Sequence, residues 1–123
     1  DTCWIGFSDG SDQVEIIFTL PENAVLHGVK LLNGFASDPA VFGTQTRKNN
    51  FQRNSRIGKF ELSLSDGTLR KYKAKDLQET SYGENVFYLM KPVQSNQVKL
   101  TIRSVYAGTK WADHICLSEI AFF

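Results

Sequence analysis

Apolar and polar residues alternate one for one in short runs along most of this chain, and that period confines it to strands with one face buried and the other wet. Val98, Leu100 and Ile102 interleave with Lys99, Thr101 and Arg103, and Phe60, Leu62 and Leu64 interleave with Lys59, Glu61 and Ser63. Comparable stretches cover 14–20, 28–33, 69–73, 85–90 and 115–122. Short strands divided by turn chemistry describe an all-β protein whose antiparallel sheets pack as a sandwich.

The connections support that class. Ser65-Asp66-Gly67-Thr68 is a hairpin signal, because Asp-Gly supplies the positive φ of a tight reversal. Leu20-Pro21 and Lys91-Pro92 are expected to end strands, where a missing amide donor does least harm. Asp76 to Glu79 is the one stretch expected to form a helical turn, and Phe35 to Ser55 reads as a long irregular loop, the kind that usually carries function. No repeat, linker or low-complexity tract divides the 123 residues, so residues 1–123 are expected to form a single domain with one core.

Catalytic chemistry finds little support. The two imidazoles, His27 and His114, stand outside any nucleophile motif and are expected just ahead of strands. Asp9 and Asp12 fall in a turn-like Ser8-Asp9-Gly10-Ser11-Asp12 that departs from the calcium-hand pattern. Two cysteines and two histidines at irregular separations do not make a zinc site. Cys3 and Cys116 lie near opposite ends of the chain, as a disulfide closing nearly the whole domain or as two buried thiols. No apolar run reaches the length of a transmembrane helix, and the first residues lack a signal-peptide pattern.

Charge is nearly balanced at +1 yet unevenly placed. Residues 39–75 hold nine bases and two acids, and no acid occurs between Pro39 and Phe60. A basic middle third allows an anionic partner such as a sialylated glycan, or more weakly a nucleic acid, and equally a solvated basic face. Of the aromatic residues, Phe18, Phe60, Phe87 and Phe122 follow the strand pattern and belong to the core. Phe42, Tyr82, Tyr106 and Trp111 stand in or beside loops, where a ring could stack on a sugar.

Several blocks, in order, resemble the discoidin-like, galactose-binding-fold superfamily, and within it a bacterial NADase-type group of glycan-binding domains. They are Thr2-Cys3-Trp4, then Val14-Glu15-Ile16-Ile17-Phe18, Val29-Lys30-Leu31-Leu32-Asn33-Gly34-Phe35, Asn54-Ser55-Arg56-Ile57-Gly58-Lys59, Leu62-Ser63-Leu64-Ser65-Asp66-Gly67, and the closing run from Ile102 to Ile120 with Trp111, His114 and Cys116. The resemblance implies a jelly-roll sandwich of seven to eight strands, galactose-binding-domain-like. It also implies a non-catalytic module that binds a glycan and targets a larger secreted or cell-surface protein. Relatives carry a further strand ahead of the position of Thr2, so this chain is expected to lack its first strand. Where they read Trp-x-Glu-Gly, this chain reads Trp4-Ile5-Gly6-Phe7.

Site residues follow from both lines. Trp111, Tyr82 and Phe42 are candidate stacking surfaces on loops, and Asn54 and Arg56 are candidate polar anchors or, alternatively, framework. Glu119 interrupts an apolar final strand and needs a partner. The resemblance implies a structural calcium ion shared with Asp1 or Thr2, and a salt bridge to Arg56 is the alternative. A rival to the glycan-binding function is a structural or protein-docking module whose partners are neighbouring domains.

Overall fold

The computed structural model describes residues 4–7, 14–34, 51–76 and 84–123. Among these the chain forms β1 (Trp4–Phe7), β2 (Val14–Thr19), β3 (Val25–Asn33), β4 (Asn54–Ile57), β5 (Lys59–Leu64), β6 (Leu69–Lys73), β7 (Glu84–Gln94), β8 (Gln97–Ile102), β9 (Val105–Tyr106) and β10 (Trp111–Phe122). One sheet runs β7-β3-β10-β4-β9, with β1 also paired to β10, and the other runs β2-β8-β5-β6.

The alternation does what its period requires. Val98, Leu100 and Ile102 of β8 and Phe60, Leu62 and Leu64 of β5 turn inward against Leu26, Val29 and Leu31 of β3 and Ile115 and Leu117 of β10. Each such side chain stabilises the fold by about 1.5–3 kcal/mol on burial. Rings close the two ends of this core. Phe60, Tyr72 and Phe87 form a cluster with centroids 5.1–5.5 Å apart, and Phe18 meets Phe122 edge-on at 5.1 Å. The hairpin at Asp66-Gly67 forms as expected, with Gly67 at φ +90° and the Asp66 carboxylate accepting the Thr68 amide at 2.9 Å.

Several expectations are corrected. Lys91-Pro92 does not end a strand, because β7 continues to Gln94. It can do so because β7 is an edge strand with a local break in register: Leu26 opposes Val93 and Gly28 opposes Tyr88, so residues 89–92 face His27 alone and a missing amide costs no ladder bond. His27 and His114 lie inside β3 and β10 rather than ahead of them, since both strands begin earlier than their apolar alternation. The supposed loop from Phe35 to Ser55 ends in a helical turn at 51–53 and the start of β4, while 35–50 lie outside the described residues. Among the described strands the pairing is antiparallel except where β4 runs parallel to β10, pairing Asn54 with Trp111 and Ser55 with Ile115; Gly34, just past β3, also makes a parallel bridge to Leu117. The helical turn expected at Asp76 to Glu79 begins on an irregular residue, Asp76, and continues outside the described residues.

β4 could not have been found by periodicity, because all four of its residues are buried and three are polar. Polar side chains from elsewhere meet its needs. The Asn33 amide at the end of β3 donates to the Ile57 carbonyl at 2.7 Å and accepts the Ile57 amide at 2.9 Å and the Gly34 amide at 3.0 Å. Truncating Asn33 would take this partner from the Ile57 carbonyl and amide, while the Gly34 amide keeps the Cys116 carbonyl at 3.0 Å. Asn33→Ala is therefore expected to lower unfolding free energy by about 3 kcal/mol, whereas Met90→Ala, on a side chain that is 90% exposed, should stay within about 0.5 kcal/mol. Urea denaturation of the two variants checks the contrast.

Candidate functional site

Among the described residues, Arg56 is a hub of hydrogen bonds that lies near two other predicted site residues, Asn54 and Trp111. Its Nε and Nη2 donate to the two carboxylate oxygens of Asp76 at 2.8 and 3.0 Å, and its Nη1 donates to the carbonyls of Phe51 at 2.8 Å and Asn54 at 3.0 Å. The guanidinium also lies 4.9 Å from the centre of the Phe51 ring. Of the two roles open to it, buried Arg56 fits framework, because its planar fork is occupied within the protein. The expected salt bridge from Arg56 to Glu119 is not formed. Asp76 takes that place, and Glu119 is exposed on β10 opposite Leu32. The calcium expectation joins Glu119 to Asp1 and Thr2, which lie outside the described residues.

Around this hub the chain that leads into β10 is strapped to the chain that leads into β4. The Ser55 hydroxyl donates to the Ala112 carbonyl at 2.6 Å and accepts the Gly108 amide at 2.9 Å. Thr109 and Lys110 donate their amides to the carbonyls of Gln52 and Arg53. Gly108 runs so close to Arg53 that a β-carbon would collide with the Arg53 carbonyl oxygen. These straps bring Trp111 beside Asn54. Asn54 is buried and Trp111 half-buried, with the Lys110 ammonium 4.7 Å from the indole centre and the His114 imidazole nearly parallel at 6.4 Å. Tyr82, Phe42 and Cys3 lie outside the described residues, so the other stacking candidates are not placed; Cys116 is buried.

A surface that the sequence reading missed lies on the outer side of the larger sheet. Val86, Tyr88 and Met90 of β7 point outward and are 45%, 70% and 90% exposed, and Phe123, 41% exposed, meets Tyr88 edge-on at 5.5 Å. The register carries the patch across the sheet through Lys30, which faces Val86 on one side and Ala121 on the other. The edge of β7 is covered: the Tyr72 hydroxyl donates to the Tyr88 carbonyl at 3.2 Å, and the Asn85 side chain bonds the Lys75 amide and carbonyl at 2.7 and 3.1 Å. The patch is therefore offered as a face rather than as a strand edge. Its sequence signal was the unbroken apolar run Val86 to Met90, which gives a strand two apolar faces instead of one.

Comparison with known proteins agrees with this architecture. A family model described as the NAD glycohydrolase translocation F5/8 type C domain matches residues 1–123. The NMR structure of the Streptococcus pyogenes NAD+-glycohydrolase translocation domain superposes with a TM-score of 0.58 at 16% identity, covering 92% of this chain and 88% of that one. At that identity the likeness speaks for the fold. No curated protein sequence matches the chain.

Losing Arg56 would leave two carbonyls and a carboxylate without their donor. Arg56→Ala is expected to cost about 2–4 kcal/mol, and Asp76→Asn about 1 kcal/mol because its carboxylate is partly in water. Chemical denaturation measures both, and an Arg56→Ala protein as stable as the parent would show that the hub is not structural.

Proposed function

The chain belongs to the NAD glycohydrolase translocation F5/8 type C domain family, and on that premise we propose that it is a docking module through which a secreted NAD glycohydrolase engages the partner that translocates it. The observation that carries this reading is the family match along the entire chain, and it is the translocation domain of that enzyme, not the catalytic one, that the family describes. The absence of any nucleophile or phosphate-cradling motif agrees with a module that does no chemistry itself.

Physical support comes from the outer face of the larger sheet. A row of Val86, Tyr88 and Met90 with Phe123 beside it places tyrosine, methionine and phenylalanine where water would otherwise solvate polar groups. These are residue types enriched where protein surfaces meet, with methionine able to adapt its shape to a partner. Glycan binding is the second reading, supported by half-buried Trp111 beside Lys110. The docking reading has the larger exposed apolar surface on its side.

In the full-length protein, Tyr88→Asp with Met90→Asp is expected to reduce delivery of enzyme activity into target cells at least tenfold. Secretion and the denaturation midpoint of the domain should be unchanged. Ile17→Asp, at an exposed apolar position on the opposite sheet, should leave delivery intact. Undiminished delivery by the double variant would remove this face from the proposal.

A further inference from the structure

The smaller sheet presents a different surface. Its outward side carries Lys59, Glu61, Lys71, Lys73 and Arg103, which with Phe60 and Tyr72 line a groove of about 430 Å³. Three of the cations form a row across adjacent strands. The Arg103 amide bonds the Lys59 carbonyl at 2.8 Å, and Lys59 stands directly opposite Lys73 in the β5–β6 register. Adjacent strands are about 4.8 Å apart, so positive side chains recur across the groove at about that interval.

The acid within the groove neutralises only the Arg103 end of this row. Glu61 accepts Arg103 at 2.8 Å and lies 4.0 Å from Lys71. The hydrogen bond from Arg103 holds the Glu61 carboxyl below its ordinary range, so it stays charged and engaged with those two bases. Among the described residues Lys59 and Lys73 form no ion pair. Like charges directly opposite on paired strands are destabilising. Lys71 and Lys73 could serve only to guard β6, an edge strand, against strand addition. Lys59, on the interior strand β5, has no such use.

We propose that this groove binds an acidic polysaccharide, its sulfate or carboxylate groups seated along Lys59, Lys73 and Arg103. The site is separate from the apolar face and does not depend on the docking reading. Four cations against one acid select for negative charge. The aliphatic stems of the lysines, lying between their ammonium groups, suit the carbon face of a sugar ring. Single-stranded nucleic acid would want outward aromatic platforms, but Phe60 and Tyr72 are turned into the core against Phe87. A concave groove also fits a single extended chain better than the plane of a lipid bilayer.

Titration calorimetry of the 123-residue chain with a size-defined heparin oligosaccharide tests the site, with poly-glutamate and phosphatidylserine vesicles as the competing occupants. The oligosaccharide should bind, and should weaken at least tenfold between 50 and 300 mM salt, as about 50 and 300 mM spans the range in which released counterions matter. Lys59→Ser with Lys73→Ser should weaken it at least tenfold again, and Lys91→Ser should not. Lys73→Glu supplies a readout that misfolding cannot imitate: by placing opposite charges across the β5–β6 pair it should raise the urea midpoint while abolishing binding. No binding of the oligosaccharide, equal binding by the Lys59/Lys73 variant, or tighter binding to poly-glutamate or to vesicles would overturn the proposal.

Discussion

The guanidinium of Arg56 holds together a part of the molecule that hydrophobic burial cannot. β4 enters the domain with three polar residues in four, all buried, and its flanking carbonyls would be unsatisfied without a donor. Arg56 supplies donors to Phe51 and Asn54 and is itself neutralised by Asp76, while Asn33 satisfies the Ile57 backbone. With β4 secured, β10 has a parallel partner, and the straps from Ser55 to Gly108 and Ala112 set where the loop before Trp111 can run. The arrangement of this end of the sandwich thus follows from one buried charge that is paired and hydrogen-bonded within the protein.

Once both inner faces are committed to the core, the chemistry left to the domain lies on its loops and outer faces. The two outer faces differ sharply. The larger sheet shows Val86, Tyr88, Met90 and Phe123, while the smaller shows Lys59, Lys71, Lys73 and Arg103. The sandwich thus carries an apolar patch on one outer face and a basic groove on the other. The likeness to the Streptococcus pyogenes domain at 16% identity fits this picture. Alternation and core volume preserve the sandwich, and outward positions are free to diverge.

Much of this was legible from the residues. Period-two runs located β2, β5, β6 and β8 to within a residue or two, and Asp66-Gly67 located their tightest turn, because both signals are local consequences of backbone geometry. The blocks around Asn33, Asn54 to Lys59 and Trp111 to Glu119 were recognised together. The structure shows the reason for the first two: they are the segments that bond one another around β4. The basic middle third was also visible as composition.

What the sequence by itself determined is the class of structure, an all-β sandwich, since that depends only on which positions along each strand are apolar. Tertiary structure alone decided that Arg56 pairs with Asp76 rather than Glu119, that Lys59 faces Lys73, and that Tyr88 and Met90 come out on a face with Phe123. Each of these joins positions brought together by strand register. A one-residue slip of any strand would send its side chains to the other face, so the pairings exist only once the core has chosen the register.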